Sequence, residues 1–129
     1  RTQKGTKEIF DLVRSKSDIE IICGGFSDAE LAKGCETADL LINATPLGMS
    51  GCPQFESLEF LKVLPKHAFV SDLIYNPSQT EFLKKAEELG HKTLNGLGML
   101  IYQALAAEEY YLGKKIDMKS VFEKVKQNI

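Results

Sequence analysis

Leu40-Leu41-Ile42 is an unbroken apolar run inside a segment from Ala38 to Ala44. Runs of this kind suit a strand buried on both faces, the situation in a parallel sheet with helices on either side. Ala68-Phe69-Val70-Ser71-Asp72-Leu73-Ile74 has the same character, and Ile19 to Cys23 is a shorter run ended by Gly24-Gly25. His91 to Leu94 reads as another short strand, while Pro77 blocks extension of the one before it.

Helical patterns lie between these runs. Residues 3–15 place Ile9, Leu12 and Val13 on one face. Ser27-Asp28-Ala29-Glu30 is a capping box opening a short helix to about Gly34, and Ser78-Gln79-Thr80-Glu81 is a second, opening a helix that ends at Gly90. A helical turn falls near Leu58–Leu64, Met99 to Leu112 is a helix stopped by Gly113, and Asp117 caps a last helix to about Lys126. Strands alternating with helices predict an α/β fold, a parallel sheet flanked by helices. The chain's 129 residues give room for one domain. Ligands in such folds bind beyond the carboxyl ends of the strands. The loops to search are therefore 43–53, 72–77 and 95–99, together with Thr2 if a strand precedes Arg1.

The composition narrows the function. At 43% hydrophobic and 26% charged the chain is globular, and a net charge of −2 offers no electrostatic reason for a nucleic-acid or anionic-membrane partner. No apolar run nears the roughly 18–20 residues that span a bilayer. Cys23, Cys35 and Cys52 form no C-x-x-C motif, and three free thiols suit a reducing, cytoplasmic compartment. The chain opens Arg1-Thr2-Gln3-Lys4, without an initiating Met or signal peptide, as a processed chain or a piece of a longer one would.

Each loop carries unusual residues: Asn43-Ala44-Thr45-Pro46-Leu47-Gly48-Met49 after one strand, Asp72-Leu73-Ile74-Tyr75-Asn76-Pro77 after the next, and Asn95-Gly96-Leu97-Gly98-Met99-Leu100 before a helix bearing Gln103. Together, in this order and spacing, they resemble the shikimate dehydrogenase family in its nucleotide-binding half. The resemblance implies an incomplete Rossmann-like dinucleotide-binding domain, with residues 1–129 its C-terminal part and the N-terminal substrate-binding domain absent. It implies NADP as cofactor and reduction of 3-dehydroshikimate to shikimate, a step of aromatic amino acid biosynthesis. The family's catalytic Lys and Asp belong to the N-terminal domain and have no counterpart here.

The same resemblance carries roles onto particular positions. Arg1 and Thr2 match an N-R-T motif that holds the adenosine 2′-phosphate, which a guanidinium can clamp through two charge-assisted hydrogen bonds. Where the family often has a second Arg, this chain has Gly5, so Lys4 or Lys7 would substitute as a point charge. Leu73 and Gly96 match positions lining the nicotinamide, Thr45 and Met99 border the cofactor, and Tyr75 and Gln103 bind shikimate. No G-x-G-x-x-G occurs, since Ile101 stands where Gly96-Leu97-Gly98 would need its third glycine. A quinate/shikimate dehydrogenase using NAD, and a non-catalytic α/β binding module, are the alternatives; a homodimer is left open.

Plainer readings stand beside these. Asn43 and Thr45 serve equally well as strand-end turn residues, and Asp72 is expected to cap local backbone amides. His67 and His91 precede strands and are expected at the surface; Cys23 and Cys35 are expected to be buried. Met99-Leu100-Ile101 with Leu105 reads mainly as core, and Lys62, Lys66, Lys84 and Lys85 as solvated surface.

Overall fold

The computed structural model describes residues 3–126, with side chains from residue 5. In chain order the elements are α1 (Gln3–Lys16), α2 (Asp28–Cys35), β1 (Leu40–Asn43), a 3-10 turn (Glu59–Val63), β2 (Phe69–Asp72), α3 (Glu81–Glu88), β3 (Lys92–Leu94), α4 (Leu97–Leu112) and α5 (Met118–Lys126). Among the described residues the strands form one sheet, ordered β1-β2-β3 and parallel throughout. The register sets Leu41 beside Val70 and Asn43 beside Asp72, so both strands end at the same level. This is the parallel α/β arrangement the alternating pattern predicts.

One face of the sheet carries the core. Val70, Ala68, Leu61, Phe60 and Leu64 pack with Phe82, Leu83 and Ala86 of α3 and Cys35 of α2. Phe82, Leu83 and Ala86 share one side of α3, as the helical repeat requires. Phe55 stacks on Phe82 with ring centroids 5.5 Å apart and closes this layer. At the far end, Tyr102 of α4 stacks on Phe122 of α5 at 5.0 Å.

The other face of β1 departs from expectation. Leu40 and Ile42 are about half exposed, so β1 is covered on one face only within the described residues. The expected strand at Ile19–Cys23 does not form; residues 17–25 have no regular secondary structure, and Ile19, Ile22 and Cys23 are exposed. A strand exists through its ladder, and among the described residues no strand pairs with this segment. An open cleft of about 1100 Å³ separates it from β1, lined by α1, residues 23–26 and the end of β1.

Helix ends correct other expectations. In the first capping box, the Ser27 hydroxyl donates to Glu30 Oε2 (2.6 Å) and caps no backbone amide. In the second, the capping residue is Thr80 rather than Ser78: Thr80 Oγ1 accepts the Leu83 N–H. Asp117 does cap α5, accepting the Ser120 N–H at 3.1 Å. Gly90 (φ +89°) turns the chain back on α3, and the His91 amide donates to the Ala86 carbonyl. That turn buries His91, contrary to its expected surface position, while His67 is exposed and pairs with Asp39 at 2.7 Å. Met99 is half exposed, so the buried face of α4 is Ile101 and Leu105 alone.

Candidate functional site

The carboxyl ends of the three strands feed three loops, and a buried polar network ties them together. Asn43 and Asp72 close neighbouring strands, both buried, with Asp72 fully inaccessible. Asn43 Nδ2 donates to Asp72 Oδ1 (3.1 Å) and to the Leu47 carbonyl (3.0 Å). Asn43 Oδ1 accepts the Thr45 N–H (3.0 Å) and the Thr45 hydroxyl (2.7 Å), and Thr45 Oγ1 accepts the Leu47 N–H. Asp72 Oδ1 accepts the Ile74 N–H at 3.0 Å, and Oδ2 accepts the Thr80 hydroxyl at 2.7 Å. A carboxylate taken out of water is costly unless its oxygens are hydrogen-bonded, and here both are. Asp72 thus has the local structural role expected of it.

The loop after β1 is shaped by glycine. The Met49 N–H donates to the Pro46 carbonyl across a turn whose third residue, Gly48, has φ +96°. That backbone region favours glycine. The loop is pinned to its neighbour where the Ser50 N–H donates to the Asn76 carbonyl (3.1 Å).

Gly96 serves another purpose. Its φ of −75° suits any residue, so space rather than backbone freedom selects glycine there. A Cβ placed on it would lie 2.0 Å from the Leu73 carbonyl oxygen and 2.4 Å from the Leu73 carbonyl carbon. Its N–H donates to the Ile74 carbonyl at 2.9 Å. The turn before α4 therefore rests directly on the backbone after β2.

The structure brings Leu73 and Gly96 into contact and sets Tyr75 two residues along the same loop. Met99 and Gln103 follow on α4 four residues apart, on one side of the helix. Leu73, Tyr75, Met99 and Gln103 are exposed, and neither the Tyr75 hydroxyl nor the Gln103 amide has a hydrogen-bond partner. Thr45 stands apart: it lines the 1100 Å³ cleft with Lys7, Phe10, Gly24, Gly25 and Glu30, and that lining includes none of the other four. Arg1 and Thr2 lie outside the described residues, and so does the Lys4 side chain.

In the cleft wall, the Ser27 hydroxyl and then the Gly25 amide hold the Glu30 carboxyl below the usual carboxylate range. Burial pushes the Cys35 thiol up. Among the described residues no cluster of His, Cys, Asp and Glu could hold a metal, and no helix is long and apolar enough to cross a membrane. The residue that sequence reasoning missed is Thr80, whose one visible signal was its place in a capping motif.

A parallel sheet flanked by helices, with its loops gathered at the carboxyl edge, defines a Rossmann-like α/β unit. Solved structures agree: shikimate 5-dehydrogenase from Listeria monocytogenes, in complex with shikimate and NAD, superposes with a TM-score of 0.79. That match has 28% identity and covers 95% of this chain and 43% of the other. A shikimate dehydrogenase (NADP(+)) from Alkaliphilus oremlandii is 50% identical over 93 residues, 72% of this chain and 32% of the relative. One from Streptococcus pneumoniae is 35% identical over 119 residues, 92% of this chain and 41% of the relative. No family model matches the chain. The chain belongs to the shikimate dehydrogenase family, and it spans less than half the length of these relatives.

Proposed function

We propose that the protein carrying this chain is an NADP-dependent shikimate dehydrogenase, interconverting 3-dehydroshikimate and shikimate in the cytoplasm. Residues 1–129 are then the C-terminal part of its NADP-binding domain, and the catalytic Lys and Asp come from a domain outside this sequence. The observation that carries this reading is a contrast at the carboxyl edge. The polar groups beneath the loops are saturated within the protein, whereas Tyr75 and Gln103 above them are exposed and unpartnered. Polar side chains on the loop after β2 and on α4, to either side of a glycine-seated turn, suit a hydroxylated, anionic small molecule.

Arg1 and Thr2 would hold the 2′-phosphate of NADP, with Lys4 adding a point charge. Leu73 and Gly96 would border the nicotinamide, with Thr45 and Met99 at the cofactor's flanks. The residues present suit such a group: Gly96 brings backbone rather than side chain to the edge, and Leu73 adds an apolar surface. Bound NADPH would supply the hydride for the substrate carbonyl. Tyr75 and Gln103 would orient the substrate by hydrogen bonds to its hydroxyl and carboxylate groups, which is the protein's share of cofactor chemistry.

The test is turnover by the full-length protein with shikimate or quinate, each with NADP or NAD. Shikimate with NADP should give the highest kcat/KM. A higher kcat/KM with quinate and NAD would replace this reading with that of a quinate/shikimate dehydrogenase. No turnover with any pair would leave a binding module.

A further inference from the structure

Thr80 is buried to 1% exposure and is linked to all three loops, to two directly and to the third through Asp72 and Ile74. Its hydroxyl donates to Asp72 Oδ2 (2.7 Å) while accepting the Leu83 N–H (3.3 Å). Its methyl side lies against the 46–49 turn, since a Cβ on Gly48 would sit 3.5 Å from Thr80 Cβ and 3.6 Å from Cγ2. Asp72 in turn holds the Ile74 N–H (3.0 Å), and the Ile74 carbonyl holds the Gly96 N–H (2.9 Å). A single hydroxyl thus stands at the head of a chain ending at the two backbone segments in contact, Leu73–Ile74 and Gly96.

We propose that Thr80 is a positioning residue for the substrate wall. Through Asp72 it fixes the backbone from Leu73 to Tyr75, and through Ile74 it fixes the Gly96 turn that launches α4 and Gln103. This rests on the dehydrogenase reading above. Helix capping alone does not account for the arrangement: a cap needs only an oxygen accepting the Leu83 N–H, yet this hydroxyl also spends its proton on a buried carboxylate.

Thr80→Val keeps the methyl bulk and removes the hydroxyl; Thr80→Ser keeps the hydroxyl. Both are to be made in the full-length protein and assayed well below the unfolding temperature. Thr80→Val should raise the KM for shikimate about tenfold, the worth of one hydrogen bond to a charged acceptor, and change the KM for NADP less than about twofold. Thr80→Ser should stay within about twofold of the unmodified protein for both. Asp117→Ala, which removes the cap of α5, should lower stability without moving either KM. If Thr80→Val does not fold, Asp72→Asn serves instead, since it keeps an acceptor for the Ile74 N–H but loses the one facing Thr80.

Hydrogen–deuterium exchange of the ligand-free protein gives a readout independent of activity. Peptides covering 72–77 and 95–99 should exchange faster in Thr80→Val than in Thr80→Ser. Unchanged exchange in both peptides, or a fall in stability with the shikimate KM unmoved, overturns the positioning role. Absent turnover in the unmodified protein would overturn the dehydrogenase reading instead, leaving the exchange result to decide the coupling.

Discussion

Gly96→Ala separates two effects that a glycine substitution usually mixes. Where the backbone is already compatible with alanine, such a change restricts the unfolded chain and stabilises the protein by about 0.4–1 kcal/mol. Gly96 has a compatible backbone, with φ −75° and ψ −3°. The added methyl, however, would meet the Leu73 carbonyl oxygen at 2.0 Å. An ordinary carbon–oxygen contact is about 3.3–3.6 Å, so one loop must move by roughly 1.3 Å or more. Overpacking of this kind costs about 1–3 kcal/mol, and losing the 2.9 Å bond from the Gly96 amide to Ile74 adds about 1 kcal/mol. The clash therefore wins, for a net destabilisation of about 1–3.5 kcal/mol. For a protein of the relatives' size that is a fall in Tm of roughly 2–14 °C, measured by circular dichroism. Gly98→Ala is the matched control. Its Cβ would lie 3.8 Å from Phe122 Cε2, an ordinary contact, inside helix α4. Alanine there should stabilise by about 0.5–1 kcal/mol. If Gly96→Ala matched or exceeded the parent Tm, or if the two substitutions shifted it equally, the close seating of the two loops would be refuted.

Three further outcomes bear on the site and the core. In the full-length protein, Arg1→Ala should raise the KM for NADP at least tenfold more than that for NAD, about 1.4 kcal/mol from a lost charge-assisted phosphate contact; equal effects would refute the phosphate role. Gln103→Ala should weaken shikimate binding about tenfold, read by steady-state KM, with little change for the cofactor, and the reverse pattern would place it on the cofactor side. In the native protein a maleimide should label exposed Cys23 first and Cys35 last, because Cys35 is 2% exposed and burial raises its thiol pKa; mass spectrometry of timed samples reads the order.

Much of the fold was legible in local sequence. The runs around Leu40–Ile42 and Phe69–Val70 became parallel neighbours, and Gly90 and Gly113 ended helices with positive φ. Asp117 capped α5 as its position before that helix suggests. These features depend on a few adjacent residues, so periodicity and capping chemistry reveal them. Ile19–Cys23 shows the limit, because its composition favours a strand but a ladder needs a partner at the right distance. His91 shows it too: the residue after a helix stop can face either way, and the Gly90 turn set its direction.

The same division runs through the candidate site. The sequence by itself determined which residues gather at the carboxyl edge of the sheet, because strand order and short loops leave few other places for them. It also marked Gly96 and Tyr75 as unusual at their positions. Only the tertiary structure decided that Gly96 is glycine for want of space, that Asp72 is saturated by Asn43, Ile74 and Thr80, and that Thr80 is the common support of three loops. The physical reason is one of range. A turn or a cap is an interaction between near neighbours in the chain. The seat of Gly96 on Leu73 joins residues 23 positions apart, and the Asn43–Asp72 bond spans 29, so both exist only once the strands have paired.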